Sequence, residues 1–71
     1  MRDRAEHLAW AKRRALEYLD DGDVMNAVTS MGSDLGKHPE TKCSQALMLL
    51  GMRYIMDHDA AAARRWIEGF R

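Results

Sequence analysis

Apolar and polar positions fall into four segments of helical period. Leu8, Ala11, Ala15, Tyr18 and Leu19 share one face of a first helix, which Asp3 and Glu6 open in the manner of a capping box and which should end near Asp20. Asp21-Gly22-Asp23 breaks it, and Asp23 can cap a second helix whose Val24, Ala27, Val28, Met31 and Leu35 keep the period up to Gly36. Lys37 to Thr41 holds His38-Pro39 and predicts a short connection, with a third helix starting near its end. From Ala46 to Met56 only Arg53 is strongly polar, which predicts a central helix packed on more than one side. Asp57-His58-Asp59 closes it, and Asp59 caps a last helix with Ala60, Ala63, Ile67 and Phe70 inward and Arg64, Arg65 and Glu68 outward.

No segment alternates with period two and β-branched residues are few, so the expected class is all-α. Connections this short make sequential helices antiparallel neighbours, giving either two stacked helical hairpins or a small irregular bundle in a single domain, residues 1–71. A repeat favours the stack. Ala15, Tyr18, Asp23, Ala27 and Met31 return 36 positions later as Gly51, Tyr54, Asp59, Ala63 and Ile67. With Gly22-Asp23 at the first turn and Pro39 at its exit, this spacing resembles a tetratricopeptide repeat (TPR). That likeness implies a docking scaffold in which small residues let paired helices approach and the aromatic fills the gap beside them.

Composition narrows the function classes. A chain of 71 residues buries only about 60% of its unfolded surface, so its stability is modest and partners are a plausible supplement. One cysteine, Cys43, rules out an internal disulfide. Eleven basic and eleven acidic side chains cancel, where a nucleic-acid coat protein would carry a basic excess. Met1-Arg2-Asp3-Arg4 precedes no long apolar stretch, so neither a signal peptide nor a spanning helix is expected and the cytoplasm is the expected compartment.

Candidate chemistry is sparse. His7, His38, His58 and Cys43 lack the spacing of a metal site, and the acidic groups at Asp20 to Asp23 and Asp57 to Asp59 read as turns and caps, so no metal, cofactor or catalytic residue is assigned. Trp10 lies off the apolar face of the first helix, beside Arg13, Arg14 and Glu17, where an exposed Trp next to Arg would form a binding hot spot; packing under the last helix is its alternative. Trp66 borders the last stripe and either joins such a surface or closes the bundle. Arg64 and Arg65 could converge with Lys12, Arg13 and Arg14 into one positive face opposite the Asp20 to Asp23 turn, open to a protein or to nucleic acid. Met48, Met52 and Met56 form a stripe expected in the core; were it exposed, a homodimer seam would follow. The second helix offers no Arg, Lys or Gln to base edges, which weighs against a sequence-reading helix-turn-helix.

Three stretches carry a second resemblance. Arg4 to Tyr18, Ser33 to Thr41 and Arg65 to Phe70 are similar to a group of small bacteriophage-encoded proteins, mostly of unassigned function. The likeness implies a setting and no residue roles: a phage or prophage accessory protein in the cytoplasm of a bacterial host. The expected function is a non-enzymatic protein-protein interaction module that binds and modulates or inhibits a host protein machine, for example a defence system. The alternative is a nucleic-acid-associated regulator using the Arg clusters.

Overall fold

A computed structural model describes residues 3–71 as an all-helical fold, with no strand among them. The elements are α1 (Arg4–Asp20), α2 (Val24–Leu35), α3 (Gln45–Met56) and α4 (Ala60–Glu68). Asp3, Asp23 and Asp59 act as the expected N-caps, their carboxylates accepting from the backbone N–H groups of Glu6, Asn26 and Ala62.

The 36-residue repeat appears as one turn built twice. Both hairpins turn through a Schellman motif. Asp23 N–H donates to the Tyr18 carbonyl and Gly22 N–H to that of Leu19, just as Asp59 N–H donates to Tyr54 and His58 N–H to Ile55. The Asp that ends each motif also caps the next helix, so one residue fixes both exit and entry. The left-handed position falls on Gly22 in the first turn (φ 77°) and His58 in the second (φ 51°). An L side chain there crowds the following carbonyl. Gly22→Ala should therefore lower the urea-derived unfolding free energy by about 1–2 kcal/mol, whereas His58→Gly should raise it by up to about 1 kcal/mol.

The first hairpin forms the core. Ala11, Ala15 and Ala27 are fully buried, and their small side chains let α1 and α2 approach closely around Leu8, Leu19, Val28, Met31 and Leu35. α4 covers this pair with Ala63, Trp66 and Ile67. It lies antiparallel to α1, with Lys12 Nζ donating to the Glu68 carbonyl (3.1 Å), Arg64 reaching Asp20 (3.2 Å) and Arg4 bonded to the Arg71 carbonyl. α3 packs on α2 and α4 and not on α1. Because α4 returns to α1, the second hairpin closes over the first as well as stacking beside it.

Three expectations are corrected. α3 begins at Gln45 with Ser44 as its cap, so the preceding connection is longer than expected. Thr41 accounts for part of that length: its buried hydroxyl donates to the Leu35 carbonyl at the end of α2 (2.8 Å), which also accepts the His38 N–H (3.4 Å). Tyr18 and Ala60, placed inward by the stripes, are exposed. The largest correction concerns α3, which is peripheral: its only buried residue is Gly51. A Cβ at Gly51 would come within 2.8 Å of the Trp66 ring and 2.9 Å of Val28, so the lack of a side chain is what lets α3 seat between α2 and α4.

Candidate interaction site

Trp10 is half-buried and packs against the core. The Arg14 guanidinium lies 4.9 Å from its ring centroid, the Lys37 ammonium 5.6 Å, and the His7 ring 5.4 Å. Both cations are held by Asp34, which is only 2% exposed and accepts from Arg14 Nε (2.8 Å), Lys37 Nζ (3.1 Å) and Ser30 Oγ (3.4 Å). His7 Nε2 donates to the Asp34 main-chain carbonyl, and its ring lies 5.3 Å from that of buried His38. His38 Nδ1 in turn accepts the Glu40 N–H at 3.1 Å.

The expected Trp10–Arg14 pair therefore exists, but it is built into a node that joins α1 to the end of α2 and the following loop. Sequence reasoning missed Asp34, His7 and His38 as its members. Asp34 falls on the same α2 stripe as Leu35 and Met31, and an Asp on an apolar stripe was the available signal. Arg13 and Glu17 are exposed, Glu17 beside Arg14, Tyr18 and Asp21 along a shallow cleft.

The basic groups do not converge into one positive face. Arg64 pairs with Asp20 at 3.2 Å, which places it at the acidic turn and not opposite it. The antiparallel course of α1 and α4 makes this necessary, since it brings the start of α4 to the end of α1. Lys12 is directed to the C-terminal carbonyl of α4, and Arg14 to Asp34. Arg65 is exposed beside a small apolar groove formed by Leu47, Trp66, Gly69 and Phe70. Trp66 is buried, with Nε1–H donating to the Leu47 carbonyl at 3.1 Å, so it closes the bundle and is not an exposed anchor.

Four of the five carboxylates at the turns are engaged in structure: Asp57 by Arg53 (2.9 Å), Asp20 by Arg64, and Asp23 and Asp59 by capping. Among the described residues no three of His, Cys, Asp and Glu converge as a metal-binding set. Cys43 is partly buried beside a cleft of about 300 Å³ that also takes in Leu8, Leu35, Leu47 and Phe70. Desolvation raises its thiol above the ordinary value, which lowers the thiolate fraction at neutral pH. Its alkylation by iodoacetamide should accordingly be slower than that of the urea-unfolded chain at pH 7, and the difference should shrink as pH rises through the folded-state value.

The surface left open is the outer face of α3. Met56 is 77% exposed, Leu49 59% and Met52 52%, with Leu50 and Leu47 also exposed. At 3.6 residues per turn Gln45, Leu49, Met52 and Met56 line up as one stripe, with Arg53 along one edge, paired to Asp57. Met48 bounds the other edge, packed over Gly32 of α2. Met25, 57% exposed and one turn ahead of Val28 on the side of α2 that meets α3, extends the apolar surface. The arrangement has no reacting groups and offers contact area. It defines a small all-helical protein with one uncovered apolar helix face. No protein-family model, no curated protein and no solved structure matches the chain. Among the described residues no helix is long and apolar enough to cross a membrane.

Proposed function

We propose that this protein is a non-enzymatic protein-interaction module whose working surface is the outer face of α3. The observation that carries the reading is the exposure of Leu49, Met52 and Met56 along one face of a twelve-residue helix. Contiguous apolar surface on so small a protein marks a site to be covered. Methionine suits that role, since its flexible, polarisable side chain adapts to a partner's contour. The likeness to small phage-encoded proteins supplies the setting: an accessory protein of a phage or prophage that engages a host protein machine, such as a defence system, in the bacterial cytoplasm.

The regulator reading, in which the Arg clusters meet nucleic acid, is weakened by the engagement of Arg14 and Arg64 with Asp34 and Asp20. Affinity capture from a bacterial host with wild-type protein and the Leu49→Glu variant tests the proposal. A host protein bound by the wild type and lost in the variant is the expected result. Recovery of nucleic acid by both, with salt-sensitive binding, would replace the proposal with the regulator reading.

A further inference from the structure

We infer that the cleft beside Cys43 binds an amphipathic carboxylate, an alkyl chain with a single acid head. The chain lies against Leu8, Leu35, Leu47 and Phe70, and the head at Lys42 and Arg4. The site shares no residue with the Leu49, Met52 and Met56 stripe, so it goes beyond the proposed function and does not rest on it.

Shape is the first argument. The start of α1, the end of α2, the connection that follows, the first turn of α3 and the segment after α4 all meet at this cleft. Its volume of about 300 Å³ is the size at which small-molecule sites begin. Leu35 is fully buried and Leu8 nearly so, which gives the cleft an apolar floor. Leu47, 41% exposed, and half-buried Phe70 supply apolar walls with area still to be covered. These four side chains offer no hydrogen-bond partner, so a peptide main chain laid on them would leave its N–H and C=O groups unsatisfied. An alkyl chain carries no such groups and gains from each methylene it buries.

Charge sets the other end of the ligand. Arg4, Lys42 and Arg71 line the cleft with Glu40 as the one carboxylate side chain, a local excess of cations in a chain of eleven basic and eleven acidic residues. Arg4 is held there by its bond to the Arg71 carbonyl. Lys42 is exposed and enters no ion pair among the described residues. Cys43, its thiol pushed up by desolvation, stays uncharged at neutral pH and adds no repulsion. An apolar interior under a cationic mouth matches both halves of an alkyl carboxylate.

Alkylation of Cys43 by iodoacetamide reads occupancy, since the thiol lies in the cleft lining. Rates are compared with and without octanoate, octanol and propionate at fixed pH, each variant against its own unliganded rate, with circular dichroism as a folding control. Octanoate is expected to slow the reaction at least about fivefold at saturation, with a Kd on the order of 1 mM. Propionate, which lacks the chain, should leave the rate unchanged, and octanol, which lacks the charge, should bind about three- to fivefold more weakly. Leu47→Glu should abolish protection with unchanged helicity. Lys42→Glu should weaken octanoate by about three- to fivefold and leave octanol as it was. No protection of the folded protein by octanoate at about ten times the expected Kd, or protection that survives in Leu47→Glu, would overturn the inference. Octanol protecting as well as octanoate would overturn the anionic class. Protection by phosphatidylglycerol vesicles with none by octanoate would also overturn it and assign the cleft to a membrane surface.

Discussion

Trp66→Ala is expected to cost about 3–5 kcal/mol, the largest loss of any single truncation in the molecule, because the indole fills the junction between the two hairpins. Its ring rests on Gly51 of α3, meets Phe70 edge-on at a centroid distance of 5.0 Å, and is 8% exposed. Alanine removes that contact area and leaves a space that neither Gly51 nor Ala63 has atoms to fill. It also removes the hydrogen bond to the Leu47 carbonyl, a direct polar tie between α4 and α3. A chain of 71 residues has a total stability of only about 4–11 kcal/mol, so α3 should detach or the whole domain should melt early. Thermal unfolding followed by circular dichroism should show a midpoint lower by about 15–25 °C. A fall of only a few degrees would mean that Trp66 does not hold the junction and is free to face a partner.

Asp34→Ala should be the most damaging polar substitution, at about 2 kcal/mol. The carboxylate is almost fully enclosed, while its partners Arg14 and Lys37 are 45% and 58% exposed, so the pairings are asymmetric. Removing Asp34 forfeits two charge-assisted hydrogen bonds and frees two cations that water can solvate. Removing Arg14 instead leaves a buried carboxylate with one ammonium and a hydroxyl. A double-mutant cycle between Asp34→Ala and Arg14→Ala should give a coupling of about 1 kcal/mol, limited by the solvent screening of the half-exposed guanidinium. In a Trp66→Phe background, with Trp10 the single indole, Asp34→Ala should also red-shift the emission, since both cations over Trp10 lose their anchor. No coupling and no spectral change would mean that Asp34 and the Trp10 cover are independent.

The two substitutions mark where sequence reasoning reached and where it stopped. The stripes of the first, second and last helices predict burial for Ala11, Ala15, Ala27, Met31, Ala63 and Ile67, and each is buried. The caps and turns were legible because their chemistry is local: an Asp two or three residues past a helix end satisfies the nearest backbone groups whatever lies around it. The candidate site was legible only in fragments. Trp10 and Arg14 do meet, one turn apart on α1, but Lys37, Asp34 and His38 reach them only through the α1–α2 pairing, which no spacing along the chain encodes. The expected positive face failed for a related reason, as the direction of α4 carries Arg64 to Asp20.

The clearest divergence is α3, where an apolar segment predicts a buried helix and the structure leaves much of it exposed. Local sequence determined that four helices form, where the first, second and fourth begin, and which stripe those three bury. These outcomes depend on backbone hydrogen bonding and on side chains within one or two turns. Only the tertiary structure decided which helix would be central. α1, α2 and α4 satisfy one another through small and branched side chains in close contact, and α3 is left with a narrow seat at Gly51, flanked by the partly buried Met48, Tyr54 and Ile55. An apolar run states how much surface is unfavourable in water, but the number of helices available to cover it is a property of the whole fold.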